Sequence, residues 1–468
     1  MIDIRDLAAL DFAGKRVTVV GLGIEGVDLV RFLARQGADV TVSDSKPAEK
    51  LTGRITDIAG IPVHLALGSN QTAEIASADA VFVSQGVPLD LPGLKSARDA
   101  GVPFISMTGL FLDTCPGPVV GITGSSGKTT TTALVAEMFR ADEGPVFVGG
   151  NIGVGLLDQL PLIRPYTWSV LEISHTQLQL VESSPHVAAL LNITPNHLDR
   201  FSWDDYVRLK TNILRFQTRD DIAVLNHDDA ESRAARGLVH GRLNWFTMTP
   251  ELPADGVCVR DGLAVLRCGK LEERLFPLAD LRLRGAHNQA NAVAAAAIAA
   301  ASGVSPDAIA CAVDAFRGVP HRLELVGEAG GVAYYNDSIA TTPERTLAGL
   351  RSFEEPVVLL LGGRDKHLPL EELAVEATRR CRAVVLFGES AGKLQDALRE
   401  IARKTPVVRV ETLPEAVKAA NAAAQPGDVV LLSPACTSYD AYENFERRGE
   451  HFCALVAPLA KEVQPSLP

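Results

Sequence analysis

The sequence predicts an α/β protein of three successive domains, and three observations carry that reading. Three times along the chain an apolar run ends in a glycine turn, the grammar of a parallel sheet whose ligands sit at the strand carboxyl ends. At 468 residues the chain exceeds what one hydrophobic core sustains, so two or three domains of roughly 100–200 residues are expected. Hydrophobic residues make up 47% and charged residues 22%, the composition of an ordinary folded chain with ample core material.

The first run, Arg16–Val20, leads into Gly21-Leu22-Gly23-Ile24-Glu25-Gly26; further strands are expected at Asp39–Val42, ending at Asp44, and at Ala80–Val83, ending at Ser84-Gln85-Gly86. Pro116-Gly117-Pro118 then breaks the chain before Val119–Ile122, which runs into Gly124-Ser125-Ser126-Gly127-Lys128-Thr129 and a helix over Thr130–Phe139. The third run, Val357–Leu361, leads into Gly362-Gly363-Arg364-Asp365-Lys366, with later strands at Ala383–Phe387 and Val429–Leu432. Between the second and third lies an alanine-rich helix, Asn288–Ala301, followed by Phe316-Arg317-Gly318-Val319-Pro320. These breaks divide the chain at 1–110, 111–314 and 315–468. The expected folds are a Rossmann-like N-terminal domain, a central P-loop ATPase-like parallel sheet and a Rossmann-like C-terminal domain.

Composition excludes several functions. The formal net charge of −12 argues against nucleic-acid binding, which needs an excess of Lys and Arg. Met1–Phe12 has neither the basic start nor the apolar stretch of a secretory signal. The longest apolar run, Ala292–Ala301, is too short to span a bilayer, which takes about 20 residues. Seven cysteines without a C-x-x-C pair suggest neither zinc nor disulfides. A cytoplasmic monomer acting on small molecules, without nucleic acid or membrane, is the expectation.

A loop of small residues between a buried strand and a helix turns backbone N–H groups toward phosphate oxygens, and the helix dipole adds to the attraction. Lys128 would reach the terminal phosphates and the Thr129 hydroxyl would hold Mg²⁺. The strict G-x-x-x-x-G-K-[ST] pattern wants glycine where Ile122 stands. Nucleotide-bound Mg²⁺ commonly takes a carboxylate from a neighbouring strand end, and Glu172, closing Trp168–Glu172, is placed for it. His197 is a second candidate ligand, although an isolated histidine is usually a polar loop residue. Gly21-x-Gly23-x-x-Gly26 with Asp44 reads as a diphosphate-binding turn that does not choose between NAD and UDP.

Beyond these motifs the chain resembles the Mur ligases, which build the peptide of the bacterial cell-wall precursor. The resemblance runs from Val19-Val20-Gly21-Leu22-Gly23 to Asn444-Phe445-Glu446-Arg447-Arg448-Gly449. In order between them stand the phosphate loop, Gly149-Gly150-Asn151-Ile152-Gly153, Leu171-Glu172-Ile173-Ser174 and Asn192-Ile193-Thr194-Pro195-Asn196-His197-Leu198-Asp199. Gly285-Ala286-His287-Asn288, Pro320-His321-Arg322-Leu323-Glu324, Asn336-Asp337-Ser338 and Leu432-Ser433-Pro434-Ala435-Cys436-Thr437-Ser438 follow.

The resemblance implies an ATP- and Mg²⁺-dependent ligase that adds glutamate, in its D form, to UDP-N-acetylmuramoyl-L-alanine through an acyl phosphate. It places ATP on Gly124, Ser125, Ser126, Gly127, Lys128, Thr129, Thr130, Asn288, Arg322 and Asp337, with domain closure bringing Arg322 and Asp337 onto the nucleotide. The UDP end falls to Ile24, Glu25, Asp44, Ser45, Lys46 and Gly86, with Asn151 in a substrate-contacting turn. Glutamate falls to Thr341, Lys366, Ser438 and Phe445. Metal is assigned to Thr129, Glu172, His197 and Lys210, the last carbamoylated; alone, Lys210 would read as a solvated helix lysine. Lys128, His197, Lys210 and Lys366 are the implied catalytic residues. Ile339 stands where the family pattern has a lysine, and Ser174-His175-Thr176-Gln177 replaces Ser-Ser-Phe-Gln. A variant adding L-glutamate shares nearly every motif. A folate-glutamate ligase would lack the N-terminal diphosphate turn, an NAD(P) oxidoreductase leaves Gly127-Lys128-Thr129 without a task, and a GTPase would need a guanine-reading Asn-Lys-x-Asp.

Overall fold

The computed structural model describes residues 12–70, 72–151, 155–196, 200–283, 285–366, 368–401 and 405–461. Among these the strands form three sheets, of five, nine and six strands. The first consists of β1 (Arg16–Val20), β2 (Asp39–Asp44), β3 (Val63–Leu67), β4 (Ala80–Val83) and β5 (Phe104–Ile105), all parallel in the order β3-β2-β1-β4-β5. Strand order reverses beside β1, so the turn at Gly21 opens where ligands of such sheets bind.

The second sheet holds β6 (Val119–Thr123), β7 (Val146–Gly150), β8 (Trp168–Glu172), β9 (Val187–Leu190), β10 (Ile222–Asn226), β11 (Arg242–Phe246), β12 (Gly256–Arg260), β13 (Leu263–Cys268) and β14 (Leu271–Pro277). β6 lies between β8 and β9 and runs parallel to both. It is buried along its whole length, and each large aliphatic side chain so buried contributes about 1.5–3 kcal/mol. The loop that follows therefore leaves a rigid, central strand. β13 pairs antiparallel with β12 and β14, an extension the sequence reading did not foresee. Its first turn places Asp261 and Gly262 at φ +49° and +74°, the pair of left-handed residues that a two-residue hairpin requires.

The third sheet runs β15 (Glu324–Ala329), β16 (Val332–Asn336), β20 (Val429–Ala435), β17 (Val357–Gly362), β18 (Cys381–Phe387) and β19 (Val407–Arg409). All its pairings are parallel except β15 with β16, which Gly330-Gly331 joins.

These sheets belong to two compact units, Met1–Leu281 with His287–Ala315, and Arg282–Ala286 with Phe316–Pro468. Within the first unit Asp28 ties the first two sheets together. Its two carboxylate oxygens accept the N–H groups of Leu157 and Asp158 at 2.8 Å each. Among the described residues no helix is long and apolar enough to cross a membrane, and all seven cysteines are free thiols.

Candidate active site

The phosphate loop is shaped by its neighbours as much as by its glycines. Gly127 precedes the helix Lys128–Ala141 at φ +81°, and a Cβ there would fall 2.2 Å from Asn291 Oδ1. Only glycine fits both demands. Asn192, past the end of β9, grips the loop: its carbonyl accepts from Ser125 N at 2.9 Å, its Oδ1 from Ser126 N at 2.9 Å, and its Nδ2 donates to Ser126 O at 3.2 Å. Ser125 Oγ bonds the Tyr206 hydroxyl and the Thr194 N–H, both at 3.0 Å. Ile122 also finds its explanation. It is a buried residue of β6 paired with Glu172 and Ala189, so the missing glycine falls inside the strand. Thr129 is half-buried and Thr130 buried in the first helical turn. Asn288 accepts from Asn291 Nδ2 at 3.2 Å, on the same helix face that packs on Gly127.

Two lysines converge on one carbonyl. Lys128 Nζ and Lys210 Nζ donate to Gly124 O at 2.9 and 2.8 Å. Lys210, on the helix Trp203–Arg215, is 1% exposed. Burial, and then the charge of Lys128, push it down to about 7, against a smaller opposing pull from Glu172. A large share of Lys210 is therefore a neutral amine at physiological pH, the state in which an amine adds to CO₂. Glu172 Oε1 accepts from Asn151 Nδ2 at 2.9 Å, while Oε2 is buried and has no hydrogen-bond partner among the described residues. An orphaned carboxylate oxygen is costly unless something charged occupies the space before it, which is what a Mg²⁺ ligand requires. His197 lies outside the described residues.

At the end of the first sheet, Asp44 is occupied by its own turn. Its Oδ2 accepts from Leu22 N and its Oδ1 from Lys46 N, each at 2.8 Å. Ile24, Ser45, Lys46 and Gly86 are exposed around it. Glu25 faces the second sheet: its oxygens accept from Gln85 N at 2.7 Å and Gln177 Nε2 at 3.0 Å, and burial raises its pKa. Gln85 Nε2 in turn lies 3.2 Å from Asn151 Oδ1, 3.0 Å from Ser174 Oγ and 2.9 Å from Thr176 Oγ1. A polar chain thus runs from Glu25 through Gln85 and Asn151 to Glu172. The neighbouring departure, His175, packs edge-on against Phe201 and Tyr206 with centroids at 5.5 and 5.4 Å.

In the second unit, Asp337 follows β16 and is 5% exposed. It accepts from Ser433 Oγ at 2.7 Å and Leu323 N at 3.3 Å, and burial raises it to about 7. Arg322 sits between His321 and Leu323, which hold φ +65° and +44°; such non-glycine conformations cost on the order of 1–3 kcal/mol each. Thr341 Oγ1 accepts from Lys366 Nζ at 3.2 Å. Ser438 is buried, and the Phe445 ring meets His321 edge-on at 6.2 Å.

Arg448 organises this region. Fully buried, it donates to Ser338 Oγ at 3.0 Å, Ser338 O at 2.9 Å, Cys436 O at 3.1 Å and Gly362 O at 3.3 Å. Burial lowers it to about 10. The loops after β16, β17 and β20 are stapled by one side chain.

The structure therefore brings Gly124, Lys128 and Lys210 together in the first unit, and Thr341 with Lys366 in the second. Asn192, Tyr206, Asn291, Gln85 and Arg448 were missed as site residues. The Asn288-x-x-Asn291 spacing put those two asparagines on one helix face and was a usable signal; Arg448 stood in the last block of the family resemblance without an assigned role, and Gln85 carried no signal.

Comparison with known proteins shows the family of the chain. Residues 15–106 match the Mur ligase MurD-like N-terminal domain, 122–299 the Mur ligase middle domain and 321–436 the Mur ligase glutamate ligase domain. A UDP-N-acetylmuramoylalanine–D-glutamate ligase of Symbiobacterium thermophilum is 41% identical over 95% of this chain and 98% of its own. One of Koribacter versatilis is 40% identical over 97% and 99%. Among solved structures, the UDP-N-acetylmuramate–alanine ligase MurC of Thermotoga maritima shares the fold at a TM-score of 0.56 and 21% identity, covering 95% of this chain and 99% of that one.

Proposed function

Because the chain belongs to the Mur ligase family, a family of ATP-dependent amide-forming ligases, we propose that it joins D-glutamate to UDP-N-acetylmuramoyl-L-alanine in peptidoglycan precursor synthesis. The observation that carries the mechanism is the buried Lys210 beside Lys128 and Glu172, sharing the Gly124 carbonyl with Lys128. A carboxylate does not react with an amine in water until its oxygen becomes a leaving group. The γ-phosphoryl group of ATP moves to the alanyl carboxylate, the glutamate amine attacks the resulting acyl phosphate, and phosphate leaves from the tetrahedral intermediate. ADP, phosphate and the amide are the products.

In this reading Gly124–Thr130 form the phosphate loop, Asn192 holding the Ser125 and Ser126 N–H groups while those of Gly127–Thr130 cradle the phosphates, and Asn288 lies beside the adenine. Lys128 neutralises charge on the phosphoryl group in flight, the largest contribution a protein makes to such a step. Thr129, Glu172, His197 and Lys210, as a carbamate formed from its neutral amine and CO₂, would hold Mg²⁺, which supplies charge neutralisation at the phosphate oxygens. The neutral Lys210 Nζ bonds the carbon of CO₂ and loses a proton to solvent as the carbamate forms, turning an uncharged amine into an anionic oxygen ligand. Ile24, Ser45, Lys46 and Gly86 take the UDP end, Asp44 and Glu25 shaping the turn around it, and Asn151 meets the muramoyl portion. Arg322 and Asp337 serve the nucleotide; Thr341, Lys366, Ser438 and Phe445 serve glutamate. We place the reaction in the cytoplasm, in a monomer of three domains at 1–110, 111–314 and 315–468.

The test is phosphate release with ATP, UDP-N-acetylmuramoyl-L-alanine and either D- or L-glutamate, with mass spectrometry of the product. Release that needs both substrates, and a product one D-glutamyl residue heavier, is expected. Turnover without the amino acid, or a preference for the L form, would overturn the assignment.

A further inference from the structure

Building on the glutamate-adding reading, we infer that Arg345 is a specificity-determining residue of the amino-acid site. Its guanidinium receives one carboxylate of the incoming dicarboxylic amino acid, while Lys366 and Thr341 receive the other. Arg345 stands in the first turn of the helix Pro343–Leu350, where a cation opposes the helix dipole and gains nothing from it. Its side chain is exposed and, among the described residues, makes one long hydrogen bond, Nη1 to the Ile339 carbonyl at 3.4 Å. Among the same residues Lys366 donates to the Thr341 hydroxyl, an uncharged acceptor, and to nothing else.

Among the described residues neither cation has a carboxylate within ion-pair distance. Asp337 is the acid whose charge Arg345 feels, but its oxygens are bonded to Ser433 and Leu323. The Thr341 hydroxyl that holds Lys366 and the Ile339 carbonyl that holds Arg345 lie two residues apart on one segment, and the charge of Arg345, after burial, lowers the pKa of Lys366. Two like charges held close, neither with a carboxylate at ion-pair distance among the described residues, constitute a site for a dianion. The arrangement also gives Ile339 a meaning. The position at which the family pattern has a lysine carries no charge here, and Arg345 reaches back over the backbone of that residue.

The experiment compares the wild type with Arg345→Gln, Arg345→Lys and the double variant Ile339→Lys/Arg345→Gln, measuring KM for glutamate, ATP and the UDP substrate separately. Losing a charge-assisted hydrogen bond raises KM for glutamate roughly 10- to 100-fold in Arg345→Gln, with the other two constants within about twofold. Arg345→Lys recovers part of the loss, and the lysine restored at position 339 recovers part in the double variant, a rescue that a purely structural role would not produce. An unchanged KM for glutamate in Arg345→Gln, or a change confined to ATP, overturns the inference. A wild type that makes no glutamate-bearing product is a different failure: it removes the functional reading, and this inference with it.

Discussion

The phosphate loop of the first unit and the Asp337 region of the second reach comparable order by opposite constructions. The loop is seven consecutive residues, Gly124–Thr130, leaving one buried strand, with Asn192 and Asn291 packed against it. The Asp337 region is assembled from segments at 321–324, 336–341, 362–366, 433–438 and 445–448, and Arg448 bonds three of them. A site of the first kind depends on backbone shape, one of the second kind on a single well-placed side chain. The two should fail differently.

The largest effect is expected at Lys210. Lys210→Ala should lower turnover at least about 100-fold, the scale of losing a main electrostatic group, and short carboxylic acids should restore part of it. Absence of rescue at any concentration of acetate or formate would remove the carbamate role. Arg448→Met comes next. It strands four buried acceptor contacts, and breaking such a buried charged network costs about 3–5 kcal/mol. Its denaturation midpoint should drop while ATP affinity, read by equilibrium binding, holds; an equal loss of both would mean that the second region is not a separate construction. Gly127→Ala should act on ATP affinity as well as on stability. It should cost about 1–3 kcal/mol in strain, with ATP affinity suffering more than glutamate affinity.

The two regions also carry buried titratable groups of opposite sign, which gives a pH comparison. Lys210 drops from 10.5 to about 7, so between those values the unfolded chain holds a proton the folded chain has shed, and stability rises with pH. Asp337 rises from 3.8 to about 7, so between those values the folded chain keeps a proton the unfolded chain has lost, and stability falls with pH. Each slope approaches about 1.4 kcal/mol per pH unit at most. In bicarbonate-free buffer, Lys210→Met should flatten the rise above pH 7 and Asp337→Asn the fall below it, measured as denaturant midpoints across pH 4–10. Slopes that the substitutions leave untouched would contradict these assignments. The smallest effect belongs to Gln85→Ala, about 0.5–1.5 kcal/mol, seen as a raised Mg²⁺ requirement because Asn151 loses its partner beside Glu172.

The same contrast explains what could be read from sequence. Strand runs such as Val119–Ile122 and Val357–Leu361 were visible because buried parallel strands are continuous apolar stretches. The phosphate loop was visible because its chemistry is contiguous. The β12–β14 hairpins were overlooked: their strands are half-exposed and their signal was only Asp261-Gly262 and Gly269. Lys210 became a candidate through family resemblance alone, since nothing local in Tyr206-Val207-Arg208-Leu209-Lys210 announces that the side chain is buried. Arg448 escaped notice because its partners lie 12 to 110 residues away in sequence. Glu25, read as a substrate contact, also bonds Gln85 and Gln177 at the junction between two sheets, which its sequence neighbours did not reveal.

The position of Arg448 in the chain has a consequence for biosynthesis. It stands in the helix Phe445–Lys461, downstream of all three loops it bonds. A chain emerging from the ribosome forms domains in order of synthesis, so the first unit's strands and phosphate loop can settle while the second unit's sheet still lacks its staple. The loops at Ser338, Gly362 and Cys436 are joined by Arg448 only when that helix docks. Nascent chains arrested before residue 445 should therefore protect the phosphate loop from proteolysis and leave those three loops open to it.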